Sequence, residues 1–195
     1  TDQNLVWRTA PPDTLQAQAI AGLLSKKVEA EVRTAVGAGA TDKLKLAVVH
    51  KSDSYGTGLE SDIRTSVTLN GEALSSANPI YRPFDYGDPN TDAASLEANL
   101  PGKAAAVASH APHIVIIIGS VEAATKVLPA LESAWTETKY RPRYILTDGL
   151  QSNELVTTVA GKTELAGRIF GTAPGTQSQQ FSDFRLRYIG KFSDP

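Results

Sequence analysis

The chain has 195 residues, of which 41% are hydrophobic and 21% charged, and its formal net charge is −2. A chain of this size buries roughly 70% of its unfolded surface and needs no disulfide or structural metal to fold. The two signs of charge are interspersed, so no basic stripe offers itself to a phosphate backbone and a nucleic-acid partner is not expected. The absence of cysteine excludes thiol catalysis and cysteine-held zinc.

No stretch approaches the roughly 18–20 apolar residues of a membrane-spanning helix. The chain opens at Thr1 and contains no methionine. We therefore expect a processed or partial chain, in which a missing signal peptide carries no information about compartment.

Strand and helix patterns alternate. Residues 5–10 read as a short strand ending at Pro11-Pro12. Asp13 suits the N-cap of a helix running to about Val36, with Leu15, Ile20, Leu23, Leu24, Val28 and Val32 at three- and four-residue spacing. Residues 44–49 form a strand. Residues 55–69 read as a helix with Leu59, Ile63 and Val67 on one face, closed by Asn70-Gly71. Residues 80–84 are a weaker strand, which Pro83 assigns to a sheet edge. A helix is predicted over 92–108, broken or kinked at Pro101.

Residues 114–118 are apolar at every position, as a strand covered on both faces must be. A helix over 121–135, a strand over 144–147, a short helix over 153–159 and a strand over 169–172 follow. The last element is an amphipathic helix over 179–192 with Phe181, Phe184 and Ile189 inward. Residues 171–178 are the best candidate linker. This order predicts an α/β fold: a doubly wound, mostly parallel sheet with right-handed crossovers and helices on both faces.

In such sheets ligands bind beyond the carboxyl ends of the strands, where strand order reverses. That rule selects the loops at residues 50–56, 119–122 and 148–152, each leading into a helix N-terminus. Free N–H groups there favour an anionic or polar ligand group near Ser52, Ser54 and Ser120. The commoner use of such serines is helix capping. Tyr55 offers an aromatic wall and a phenol, or is an ordinary surface tyrosine. Asp148 suits an ammonium partner, and equally a Thr-Asp-Gly turn.

His110 and His113 have the spacing of two metal ligands, but the sequence suggests no further ligand, and a structural reading is preferred. Enzyme signatures are missing. Ser120 lies between a strand and a helix without the glycine register of a nucleophile elbow. No phosphate-binding glycine loop is present. Neither a cofactor nor a metal is implied.

Three segments in order carry a family resemblance. The first is Val6-Trp7-Arg8-Thr9-Ala10-Pro11-Pro12-Asp13 before a Gln- and Ala-rich helix. The second is Leu46-Ala47-Val48-Val49-His50-Lys51-Ser52-Asp53-Ser54-Tyr55-Gly56-Thr57-Gly58. The third runs from His113 through Ile118-Gly119-Ser120 and, after a helix, to Tyr144-Ile145-Leu146-Thr147-Asp148-Gly149. Gly161, Gly167 and the closing Tyr188–Pro195 segment fit as well. Together they resemble the type I periplasmic binding proteins, and more narrowly the branched-chain amino-acid receptors of ABC transporters, the extracellular ligand-binding receptor family.

The resemblance implies a chain centred on the second of two lobes. Residues 1–12 would be a crossover, 13–168 the lobe, and 169–195 a return strand and helix toward a first lobe. Its implied function is hinge-closing capture of a small molecule such as an amino acid, delivered to a membrane permease, in the periplasm or outside the cell. Ligand contacts are implied at Ser54, Tyr55, Gly119, Ser120 and Asp148. Tyr55 matches the family's cleft-lining tyrosine. Ser120 stands where amino-acid receptors often have an aromatic, and Asp148 is the nearest match to the acid that takes the ligand's ammonium, with Gly149 one residue on. A lobe without its partner would present exposed surface for self-association. Two rivals remain open: a sensory domain of the same fold, and a hydrolase with Ser120 as nucleophile.

Overall fold

A computed structural model describes residues 11–75, 77–175 and 179–192. The expected strand over 5–10 and the linker residues 176–178 lie outside the described residues.

Five parallel strands form one sheet: β1 (Leu46–His50), β4 (Tyr81–Asp85), β5 (Ile114–Ile118), β6 (Arg143–Leu146) and β7 (Ile169–Gly171), ordered β4-β1-β5-β6-β7. Strand order reverses between β1 and β5, which puts the switch point there. β5 is central and buried at all five positions, as its unbroken apolar run predicts. β4 is an edge strand, which is why Pro83, paired opposite Val48, is tolerated.

Alternation along the strands divides the core in two. Leu46, Val48, Ile114, Ile116 and Ile145 pack with Ile20, Leu24, Val28, Leu59 and Ile63. Those residues come from α1 (Asp13–Leu23), the π-helical turn Leu24–Val28 that continues it, and α3 (Ser54–Ser66). The opposite face, with Ala47, Val49, Val115, Ile117 and Tyr144, packs against Leu100, Val107, Leu128 and Leu131. These come from α4 (Pro89–His110) and α5 (Leu128–Ala134), and α5 is entered through a second π-helical turn, Ala123–Val127.

Several expectations are corrected. The first helix continues past its π turn as α2 (Glu29–Val36), and Asp13 is its first helical residue rather than its cap; extended Pro12 precedes it. The helix over 55–69 stops at Ser66. Asn70 and Gly71, with φ of 56° and 76°, instead turn a small antiparallel hairpin between β2 (Thr68–Leu69) and β3 (Glu72–Ala73). Asn-Gly is the sequence best suited to that turn. The break in α4 falls at Asp92, not Pro101: Asp92 leaves helical geometry and its carboxylate caps the N–H of Ser95 at 2.8 Å.

After the short helices α6 (Asn153–Val159) and α7 (Thr163–Ala166) and strand β7, the last helix is α8 (Gln179–Phe192). Phe181 and Phe184 were expected inward, but they are 39% and 62% exposed. The amphipathic pattern is present, yet no sheet face lies beneath it among the described residues; Tyr188 instead makes tilted ring contacts with Phe184 and Phe192 along the helix. His110 and His113 sit at the amino ends of the strands. His113 has a structural role there, its Nδ1 accepting the backbone N–H of Lys45 at 2.9 Å.

Candidate functional site

The carboxyl ends of β1, β5 and β6 bring the predicted loops to one side of the sheet, because strands that all run in the same direction end on the same side. Asp148, in the turn after β6, is the meeting point. Its Oδ1 accepts from Gln16 Nε2 at 2.8 Å, from the Tyr55 phenol at 3.3 Å and from the N–H of Gly149 at 3.0 Å. The phenol also donates toward Gln16 Oε1 at 3.2 Å. Burial and the Asp148 charge push the Tyr55 hydroxyl up to about 12, so it remains a protonated donor at neutral pH. A pocket of 230 Å³ opens beside this cluster, with Gln16, Asp148 and Thr172 as its polar lining and Leu15, Ala19 and Pro174 among its apolar walls.

Gly119 and Gly149 let the β5 and β6 loops touch. A Cβ on Gly149 would overlap the carbonyl oxygen of Gly119, with Ser120 Cα in ordinary contact beyond it. A Cβ on Gly119 would overlap the Tyr86 hydroxyl. Ser120 is thereby held against Gly149, next to the Tyr55–Asp148 pair, and is exposed. Ser54 is exposed on the first turn of α3, farther along the same rim.

The chain's own carboxylates already accept one N–H in each of these loops, which counts against an anionic ligand group there. Asp53, not a serine, caps α3 by accepting from Gly56 N at 2.7 Å. Asp88 takes the N–H of Asn90 at 3.0 Å after β4. Glu122 Oε1 folds back onto the N–H of Ser120 at 3.2 Å and receives the Tyr86 phenol at 2.7 Å. Asp148 does the same on Gly149. Each of the strands β1, β4, β5 and β6 thus ends under a carboxylate placed where helix dipoles and free N–H groups favour negative charge. Lys51, only 6% exposed, bridges Asp53 at 3.1 Å and Asp88 at 3.3 Å. Burial opposes its charge, but the two carboxylates outweigh burial and hold its pKa above the usual lysine value.

Ser52 is exposed, and its Oγ donates to Asp85 at 2.6 Å. The sequence reading missed Gln16, Lys51, Tyr86 and Glu122. Acidic residues at or near the start of successive helices were the available signal for the last of these.

No protein-family model matches the sequence, and no curated protein matches it. Solved structures do match. An extracellular ligand-binding receptor from Verminephrobacter eiseniae superposes with a TM-score of 0.57 at 16% identity, over 95% of this chain and 45% of that one. The fold is that of one lobe of a type I periplasmic binding protein. A leucine-binding protein from Thermotoga maritima aligns with a TM-score of 0.54 at 15% identity, over 93% of this chain and 44% of that one. A fatty acid ABC transporter substrate-binding protein from Thermomonospora curvata aligns with a TM-score of 0.52 at 16% identity, over 92% and 40%. The chain spans less than half the length of these three proteins.

Proposed function

We propose that this chain is the second lobe of an ABC-transporter substrate-binding protein, exported from the cytoplasm and serving a membrane permease. In this reading a small molecule binds between lobes and is retained by hinge closure, its affinity set by contacts from both sides. Residues 13–168 form the lobe with β7 completing its sheet, and the chain after β7 leads toward its partner. The face contributed by this lobe is Tyr55, Gly119, Ser120 and Asp148, with Ser54 at its rim and Gln16 added.

The observation that carries the reading is the Tyr55–Gln16–Asp148 cluster beside a mostly apolar pocket at the carboxyl ends of the strands. The carboxylates already seated on the loop N–H groups favour a ligand that presents a neutral or cationic polar group, an amide or amine, with an apolar portion against Leu15 and Ala19. An amino acid would approach through its ammonium. Binding rather than turnover suits Ser120, which is exposed, whereas the ring of His50, the histidine at this end of the sheet, is turned to the Lys51 carbonyl oxygen at 3.1 Å.

A thermal-shift screen of amino acids, amides, amines and simple carboxylates on the two-lobed protein tests this. Stabilisation by amines, amides or amino acids is expected. Stabilisation by simple carboxylates alone would overturn the ligand class, and ester turnover lost on Ser120→Ala would replace binding with hydrolysis.

A further inference from the structure

The amino ends of the strands hold a second polar pocket. It measures 170 Å³ and lies between α2 and the segment that joins α5 to β6. α2 forms an apolar wall, and the charged and imidazole lining consists of His113, Lys139, Arg141, Arg143, Arg168 and one carboxylate, Glu164. Three of these residues stand side by side across the sheet: the N–H of Arg143 donates to His113 O at 3.0 Å, and the N–H of Tyr144 to Arg168 O at 2.9 Å.

The cations differ in how they are satisfied. Arg168 gives Nη1 and Nη2 to Glu132 at 3.0 and 2.6 Å, and Arg141 shares that carboxylate at 3.2 Å. Glu164 lies 3.5 Å from Arg168 Nε, with its own side chain 78% exposed. Arg143 differs in having no carboxylate partner among the described residues, although Arg168 Nε, like Arg143 Nε, is buried without a hydrogen bond. Its neighbour Tyr144 packs toward α4 and α5, and Ile145 toward α1 and α3, so alternation sends Arg143 to the α2 side. There its Nε is buried without a hydrogen-bond partner among the described residues. Buried N–H groups without an acceptor are exceptions in folded proteins and call for a water or a ligand.

The remaining polar lining also donates. His113 accepts through Nδ1, so in the neutral ring the proton sits on Nε2. Burial, with Lys45 and Arg33 close by, holds its pKa below the usual histidine value, which keeps the ring neutral. A pocket of guanidinium, ammonium and imidazole donors, with its one carboxylate turned to solvent, is complementary to a small oxyanion.

We propose that this pocket binds a tetrahedral oxyanion, phosphate or sulfate, gripped by the Arg143 guanidinium. The site lies at the end of the sheet opposite the Tyr55–Asp148 cluster and does not depend on what that cluster binds.

The test is a phosphate and a sulfate titration of the 195-residue chain, with ionic strength held constant by sodium chloride. The arginine side-chain N–H and the His113 ring are followed by NMR. A parallel arm uses glycerol phosphate. The Arg143 Nε–H and the His113 ring should shift together and saturate, with Arg143→Gln weakening binding about tenfold or more and Arg143→Lys, which keeps the charge but not the planar fork, falling between. Tighter binding of inorganic phosphate identifies a free ion; tighter binding of the ester identifies the phosphate of a larger molecule; the site stands in either case. Shifts that never saturate, that chloride reproduces, or that persist unchanged in Arg143→Gln would overturn it. If Arg143→Gln does not fold, the Arg143 Nε–H signal of the unaltered chain decides alone.

Discussion

The Tyr55 phenol donates to Asp148 Oδ1 at 3.3 Å, tying the first turn of α3 to the turn after β6 across 93 residues of sequence. The bond fixes an aromatic ring at the rim of the switch-point crevice. Tyr55→Ala in the two-lobed protein should weaken ligand binding by about 1–3 kcal/mol, the usual loss for one aromatic anchor. Calorimetry checks this, and an unchanged dissociation constant removes Tyr55 from the site.

Gly149 lies so close to Gly119 O that no side chain fits. Gly149→Ala should destabilise the chain by about 1–3 kcal/mol through overpacking. Gly58, inside α3 with nothing within 4 Å of an added Cβ, is the matched control. Gly58→Ala should stabilise by about 0.5–1 kcal/mol, the helix-propensity difference. Urea melts that rank the two substitutions the other way would contradict the packing described here.

Glu132 and Arg168 form a two-bond pair, with side chains 17% and 5% exposed. Burial alone would raise the Glu132 pKa, but hydrogen bonds from Arg168 and Tyr144 prevail and set it below the usual glutamate value. A folded-state pKa below the unfolded one contributes stability that is present above the unfolded value, about 4.3, and is lost as pH falls through the folded one. Unfolding free energy should therefore decline below about pH 4.5, and Glu132→Gln should remove part of that slope. At neutral pH the substitution should cost about 3–5 kcal/mol, because it strands a buried guanidinium. An unchanged pH profile would show that other carboxylates carry the acid sensitivity.

The large apolar side chains of α8 are mostly exposed: Phe184, Leu186 and Phe192 at 62%, 71% and 61%. They add little to the core of 13–168. Truncation after residue 175 should shift the unfolding free energy by less than about 1 kcal/mol and reduce any self-association seen by sedimentation. A large loss of stability would make α8 an integral part of the lobe.

The sheet was legible in the sequence because the apolar run 114–118 and the alternating periods belong to the strands themselves. The loops of the site were legible because topology alone sends Tyr55, Ser120 and Asp148 to one end of a parallel sheet. What was hidden depended on side chains meeting across the fold. Gln16 is one polar residue in a helix of many, and only tertiary packing of α1 on α3 brings its amide to Asp148. Lys51 reads as a loop lysine until Asp53 and Asp88 close on it. Glu122 reads as a first-turn acid, yet it returns to the N–H of Ser120, a contact on which the proposed ligand class rests. The aromatic stripe of α8 carries the amphipathic pattern of a core helix, and a pattern cannot say where its covering face lies.

The central claim is that this lobe offers a neutral or cationic group of a small ligand the Tyr55–Gln16–Asp148 cluster, and supplies about half of a clamp. A titration of the 195-residue chain by amide NMR, with matched amines, amides, amino acids and simple carboxylates, tests it most directly. The account predicts that the Gly149 N–H and the Gln16 side-chain amide shift with amines, amides or amino acids, saturate only near millimolar concentration, about −4 kcal/mol, and stop responding in Asp148→Asn. A micromolar constant would show a complete binding module in one lobe. Simple carboxylates that drive those shifts, undiminished in Asp148→Asn, would contradict the account outright.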